Sequence, residues 1–198
     1  MQRLFNRRLY TTFPKYNLSS IFKKEYDDES QNHTIHQVHP HTVEFFKSEG
    51  WSITDKLGSS ELKLKKKLDD YTLEMFINCN QEDQESEEFG GVDAVLDLTR
   101  TGKEGIVSMD LRLDSDIIID NVSWYPNASY QKSEELREDN YAGPAIETLD
   151  QQLEEALVEK LNELSVTTEF SEKLNNLKVW KEQKEYENWL VKVGNLFE

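Results

Sequence analysis

Apolar residues change their spacing once along this chain, and that change constrains the fold more than any other feature. From Trp51 to Trp124 many of them recur at every second position, as in strands that bury one face. Beyond Tyr141 they recur at every third or fourth position, as along one side of a helix. Strands followed by helices predict an α+β fold with an antiparallel sheet.

Turn residues divide the alternating part into six or seven strands. Asp69-Asp70 predicts a tight turn and therefore a hairpin, because aspartate tolerates the left-handed backbone and can bond its own main chain. Thr101-Gly102 predicts a second turn, and Pro126 ends the last strand. Cys79 closes one apolar strand face, so its thiol is predicted to be buried and unreactive. The clearest alternation lies at 62–65, 71–79, 92–98, 106–113 and 117–124.

Three helices are predicted, one before the sheet and two after it. Helical spacing begins at Leu18, with Ser19 or Ser20 as the N-cap. Pro144 suits the first position of a helix, so a long amphipathic helix is predicted to open at Tyr141-Ala142-Gly143-Pro144. A break at 165–168 separates it from an aromatic-rich last helix. The residues expected to pack these helices or to form subunit contacts are Leu18, Phe22, Leu177, Trp180, Tyr186, Trp189, Leu190 and Val193.

Residues 31–41 are polar, include Pro40 and are predicted to form a linker. The segment holds every histidine of the chain, at His33, His36, His39 and His41. Four imidazoles could bind a transition metal or sense pH. Because no cysteine or acid is interleaved at ligand spacing, and a polar linker supports ligand geometry poorly, we predict no metal and no cofactor here.

The first twenty residues are basic, contain serine and threonine, and precede the first acid of the chain, Glu25. This composition is typical of a mitochondrial targeting segment, and the apolar run is too short for a secretory signal. We predict targeting by residues 1–17, with cleavage near residue 10, and a single domain at 18–198 in the mitochondrial matrix. The alternative is a basic tail on a cytosolic protein.

Acids outnumber bases by 39 to 23, which gives a formal net charge of −16. Such a chain repels nucleic acid and attracts basic proteins, and no apolar run approaches the roughly 20 residues of a membrane span. The one basic group, Lys63 to Lys67, is predicted to be the solvated face of a strand. The acids predicted to form a partner-binding face are Glu82, Asp83, Glu85, Glu87, Glu88, Asp114 and Asp116.

Three regions of the sequence resemble the mitochondrial glycoprotein family of acidic matrix proteins. They are Val43-Glu44-Phe45-Phe46-Lys47-Ser48-Glu49-Gly50-Trp51 with residues 55–62, Tyr141-Ala142-Gly143-Pro144 with Leu149-Asp150, and Lys181-Glu182-Gln183-Lys184-Glu185-Tyr186-Glu187-Asn188-Trp189-Leu190. The resemblance implies a twisted antiparallel sheet, pairing of the N- and C-terminal helices, and a ring-shaped homotrimer around a central channel.

The resemblance and the charge together predict a non-enzymatic adaptor or chaperone. Its partners would be basic proteins, such as ribosomal or RNA-binding proteins, during mitochondrial translation, RNA processing or ribosome assembly, with no direct contact to nucleic acid. A stable structural subunit of a larger ribosomal or respiratory complex is the alternative within the binding class. A hydrolase that uses paired carboxylates is a remote alternative, against which stands the lack of a Gly-x-Ser-x-Gly, phosphate-loop or His-Glu-x-x-His motif.

Overall fold

The computed structural model describes residues 16–32, 40–80, 91–129, 141 and 143–198. Helices α1 (Leu18–Asn32) and α2 (Pro40–Ser48) precede the sheet. The strands are β1 (Trp51–Asp55), β2 (Glu61–Lys67), β3 (Tyr71–Asn78), β4 (Val92–Arg100), β5 (Ile106–Leu113) and β6 (Ile117–Tyr125). A 3₁₀ turn at Ile146–Thr148 leads into α3 (Gln151–Glu163) and α4 (Thr168–Asn195). The predicted α+β class is confirmed.

The six described strands form one antiparallel sheet in which spatial order follows sequence order, from β1 at one edge to β6 at the other. The predicted Asp69-Asp70 hairpin is present, and the Leu68 N–H donates to the Tyr71 carbonyl at 2.8 Å. The predicted Thr101-Gly102 turn is also present, with Gly102 at a φ of +73°. Both turns are short connections, which antiparallel neighbouring strands allow.

The core lies between one face of the sheet and helices α2, α3 and α4. Alternate positions of every strand from β2 to β5 face this core, so the period-two pattern predicted the buried face correctly. The helices contribute Phe46 from α2, Leu161 from α3 and Phe170 from α4, all 0% exposed. Cys79 is 3% exposed, and burial raises the pKa of its thiol to about 11, which agrees with the predicted unreactive cysteine.

Helix α4 has two halves with different neighbours. Its first half packs on the sheet through Phe170, Leu174 and Leu177. Its second half packs against α1, where the Phe22 ring lies 5.8 Å from Trp189 and 6.1 Å from Phe197 between centroids. The pairing of N- and C-terminal helices that the resemblance implied is therefore present. Among the described residues, no helix combines the length and the apolar character that crossing a bilayer requires.

The predicted break before α4 is confirmed and has a local cause. Ser165 adopts a φ of +67°, which helices do not continue through. Thr167 then caps α4, because its side chain accepts a hydrogen bond from the Phe170 N–H at 3.2 Å.

The predicted start of the preceding helix is wrong. Pro144 lies in irregular chain, and α3 begins only at Gln151. The cap is Asp150, whose carboxylate accepts a hydrogen bond from the Gln152 N–H at 2.8 Å. Pro144 permits a helix start but does not supply this acceptor, whereas Asp150 does.

Two predictions about the N-terminal part also need correction. Helix α1 extends to Asn32, and the Ser20 N–H points at the Asn17 side chain at 3.4 Å, so neither serine is the cap. Pro40 does not interrupt a linker but begins α2. The first position of a helix is one that proline tolerates. Of the predicted linker at 31–41, residues 31–32 and 40–41 are helical, and the remaining positions 33–39, with His33, His36 and His39, lie outside the described residues.

Candidate binding surface

The end of β3, the start of β4, the end of β5 and the start of β6 lie together at one end of the sheet. The pairings of Ile77 with Ala94 and of Val92 with Leu113 place the end of β3, the start of β4 and the β5–β6 turn together. Asp114 and Asp116 lie exposed in that turn. The predicted acids Glu82, Asp83, Glu85, Glu87 and Glu88 lie outside the described residues, but the chain leaves and rejoins the sheet beside this turn, at Asn80 and Gly91.

The face of the sheet opposite the core contains a hollow near this end, which we call the acidic hollow. Its volume is about 450 Å³. Its apolar floor includes Phe76 and Val95, which lie opposite each other on β3 and β4. The polar residues that line it are Ser60, Glu61, Asn78, Asp93, Asp110 and Asp120. Strands β2 to β6 and the β1–β2 loop therefore contribute to a single concave site.

Carboxylates dominate the charge of the acidic hollow. Arg112 binds Asp120 through two hydrogen bonds of 2.7 Å, and the hydrogen bond to Asp120 raises the pKa of Arg112. Asp110 accepts a hydrogen bond from the Asn121 amide at 3.2 Å. The lining residues include four carboxylates and no basic side chain, and Arg112 outside the lining pairs with one of the four, so the site has a net negative charge. An apolar floor with an acidic rim suits the long stem and charged tip of lysine or arginine.

Beside the hollow, the protein's own lysines show this mode of contact. Lys63 and Lys65 each bind Glu74 at 2.5 Å, and the Lys63 ammonium lies 4.8 Å from the centre of the Phe76 ring. Burial alone would raise the pKa of Glu74, but hydrogen bonds from these lysines outweigh it and lower the pKa.

The prediction that the whole basic group is solvated is wrong for one lysine. Lys66 is 6% exposed because the strand period places it on the same face as Leu62 and Leu64. Burial lowers the pKa of Lys66, and Glu49 at 4.0 Å opposes that effect.

A second charged cluster joins α4 to the end of β1 and the β1–β2 loop. Lys181 is 0% exposed and donates to Asp55 at 2.6 Å, to Glu185 at 2.6 Å and to the Lys56 carbonyl at 3.0 Å. Lys184 also binds Asp55. Glu185 accepts from the Gly58 N–H at 2.7 Å. These contacts fix the loop that leads into the acidic hollow, so we call the set the Lys181 cluster.

The family of this chain is decided by how much of its sequence matches a family model. A model of the mitochondrial glycoprotein family (MAM33) matches residues 22–197. The chain belongs to this family. The match includes α2, the whole sheet and both C-terminal helices, so the family resemblance of the sequence is confirmed.

Two solved structures share the fold of this mitochondrial glycoprotein family member. One is a hypothetical protein of unknown function from Leishmania major, described as a sequence homologue of the human p32 protein. It is 20% identical with a TM-score of 0.74, and the alignment covers 91% of this chain and 98% of that chain. The other is the Trypanosoma brucei p22 protein, 21% identical with a TM-score of 0.72, covering 91% and 97% respectively. The TM-scores establish a common fold, and at these identities the likeness shows the fold alone.

The structure places the predicted helix residues in two environments. Leu177 and Leu190 are core residues, at 1% and 2% exposure. Trp180 also packs against the core, and the other five lie on the α1–α4 pair: Leu18, Phe22, Tyr186, Trp189 and Val193. Of these, Leu18 and Trp189 are 45% and 51% exposed, so the pair retains an apolar outer surface.

Sequence reasoning missed the acidic hollow and the Lys181 cluster. The alternation of β4 and β5 already implies that Asp93 and Asp110 point away from the core. Their position around one hollow follows from strand register, which the sequence does not give. The described residues contain no cluster of histidine, cysteine and acids suited to a metal, and His41 pairs with Glu44 at 3.7 Å in α2.

Loss of the ion pairs in the Lys181 cluster is expected to lower the free energy of unfolding at acidic pH and again at strongly alkaline pH. Burial would raise the pKa values of Asp55 and Glu185, yet their hydrogen bonds lower both. Burial would lower the pKa of Lys181, yet its carboxylate partners raise it. The stabilisation should be complete from about pH 5 to pH 10, fade as falling pH protonates the acids, and fade as rising pH deprotonates Lys181. Urea unfolding from pH 3 to 7 should show a shallower decline for Glu185→Gln than for the natural protein, and equal slopes would contradict the assignment.

Proposed function

We propose that this protein is a non-enzymatic adaptor or chaperone that binds basic segments of other proteins through the acidic hollow. The observation that carries the proposal is the concave site itself, with carboxylates from four strand positions around an apolar floor. Asp114 and Asp116 extend the negative surface beyond it. Many exposed carboxylates give fast, salt-sensitive association with broad selectivity, as an adaptor for several basic partners requires.

The family supports a mitochondrial location, and we place the protein in the matrix. In this proposal residues 1–17 direct import and 18–198 form the functional domain. The matrix partners of suitable chemistry are ribosomal and RNA-binding proteins, whose basic segments need shielding during translation, RNA processing or ribosome assembly. The net charge of −16 supports that choice of partner and disfavours direct contact with nucleic acid.

The functional particle in this proposal is a homotrimer. The outer side of the α1–α4 pair exposes Leu18, Ile21 and Trp189 at 45%, 46% and 51%. A monomer in water would gain by covering such a surface, and contacts with other copies of the chain would do so. Three acidic hollows on one particle would raise the affinity for a partner with several basic segments.

The test compares two pairs of substitutions that change the net charge equally. Glu61→Gln with Asp110→Asn removes two acids from the hollow, whereas Glu154→Gln with Glu159→Gln removes two exposed acids from α3. Binding of a fluorescent lysine- and arginine-rich peptide should weaken roughly tenfold for the first pair and less than twofold for the second, given the usual worth of exposed charge contacts. Equal weakening would mean that overall charge, and not the hollow, attracts the peptide.

Purification of the tagged protein from mitochondria separates an adaptor from a stable subunit. An adaptor should lose its basic partners when salt is raised, while light scattering still reports a trimer. A stoichiometric complex that resists salt would identify a structural subunit of a larger assembly instead.

A further inference from the structure

Strand β6 is an edge of the sheet that the described residues form. It spans Ile117–Tyr125 and pairs only with β5 in the sheet that the described residues form. Among the described residues, the backbone of residues 117–121 forms hydrogen bonds only with β5. An edge of this kind offers alternate N–H and C=O groups to an additional strand.

The chain itself passes against this edge at Val122. A Cβ on Gly143 would lie 2.6 Å from the Val122 carbonyl oxygen, so the backbone of Gly143 passes directly against β6. The 3₁₀ turn Ile146–Thr148 that follows also contacts β6. An incoming strand would therefore meet Gly143 near Val122, and we take residues 117–121, which precede that contact, as the open part of the edge.

Negative charge surrounds the open part. Asp114 and Asp116 lie exposed just before it, and Asp120 lies within it. A bulge between β5 and β6 leaves Asp120 without a directly paired residue, and its side chain binds Arg112 at the rim of the acidic hollow. Bulges commonly redirect one side chain beside a binding site. The neighbouring Ile118 is 39% exposed and offers an apolar contact.

We propose that residues 117–121 of β6 bind an extended basic segment of a partner protein as an added strand. Backbone hydrogen bonds to β6 would hold the segment, and alternate side chains would reach toward the acidic hollow. The inference rests on the proposed function, because it specifies how the basic segment binds. Charge complementarity selects the partner, while the segment from Gly143 to Thr148 sets where the added strand ends.

The experiment uses the full-length protein and nine-residue peptides of alternating lysine and valine. One peptide is unmodified, a second carries N-methyl groups on its odd-numbered amides, and a third carries them on its even-numbered amides. A strand directs the amides of alternate residues to one edge, so one methylated peptide should lose at least about tenfold in affinity and the other should stay within about threefold. Hydrogen exchange should show protection of the 117–121 amides by the unmodified peptide.

Each other result overturns the inference in a distinguishable way. If the unmodified peptide does not bind, the proposed function fails as well. If all three peptides bind equally, or both methylated peptides lose equally, charge holds the segment without strand addition. Peptide-induced protection elsewhere than 117–121 excludes this edge. Protection of 117–121 that rises with protein concentration alone, without peptide, would identify a second copy of the chain as the occupant.

Discussion

Replacing Lys181 with alanine should lower the free energy of unfolding by about 3–5 kcal/mol, the usual loss when one partner of a buried ion pair is removed. Lys181 has no exposed surface, and its ammonium is the donor shared by Asp55 and Glu185 at 2.6 Å each. Without it, two carboxylates remain close together and poorly solvated. The Lys56 carbonyl also loses a hydrogen-bond donor.

Lys184→Ala is the matched control, because Lys184 binds the same Asp55 but is 35% exposed on its side chain. It should cost less than about 1 kcal/mol, since exposed pairs are worth little. Adding Asp55→Asn and Glu185→Gln to Lys181→Met should recover part of the loss, because no buried charge then remains unpaired. Urea unfolding followed by circular dichroism measures all of these variants. Equal losses for Lys181→Ala and Lys184→Ala would show that the cluster does not depend on burial.

The features that the sequence predicted well are those that neighbouring residues determine. The Asp69-Asp70 turn, the alternation of β3 and the break at Ser165 each depend on a few adjacent positions. Lys181 differs, because nothing in its own helix distinguishes it from the surrounding lysines and acids. Its ion-pair partner Asp55 is 126 positions away in the chain. Both residues lie in segments that carry the family resemblance, and that was the only sequence signal for the contact.

Two of the errors in helix boundaries concern prolines. Pro40 and Pro144 are both compatible with a first helical turn, but only Pro40 begins a helix. Asp150, followed by Gln151 and Gln152, was the better signal for α3, because an aspartate side chain can accept the orphan N–H of the first turn. A search for caps ahead of the apolar stripe would have located this start.

The sequence predicted an acidic binding face, and that face stays a prediction. Asp114 and Asp116 were predicted as partner-binding acids, and the structure places them exposed at the acidic end of the sheet. The residues of the acidic hollow come from separate strands, so only the register of those strands brings them together. Charge composition predicts the class of partner, whereas strand register decides which acids share one hollow.

Gly143→Ala should lower the free energy of unfolding by about 2–4 kcal/mol, from backbone strain together with a steric clash. Gly143 has a φ of +145°, and an added Cβ would lie 2.6 Å from the Val122 carbonyl oxygen. That oxygen belongs to the backbone of β6, so it cannot rotate away as a flexible side chain would. The structure thus gives a physical reason for glycine in the Tyr141-Ala142-Gly143-Pro144 motif.

Gly102→Ala separates the two contributions to this effect. Gly102 also has a positive φ, +73°, but a Cβ there would meet no atom within 4 Å. Its replacement should therefore cost only the left-handed backbone strain, about 1 kcal/mol. Urea unfolding gives both values, and hydrogen exchange along β6 adds a local readout, because displacement of the Gly143 segment should expose Val122 in one variant alone. Equal losses for the two variants, with unchanged exchange in β6, would mean that the close approach of Gly143 to the edge strand does not stabilise the fold.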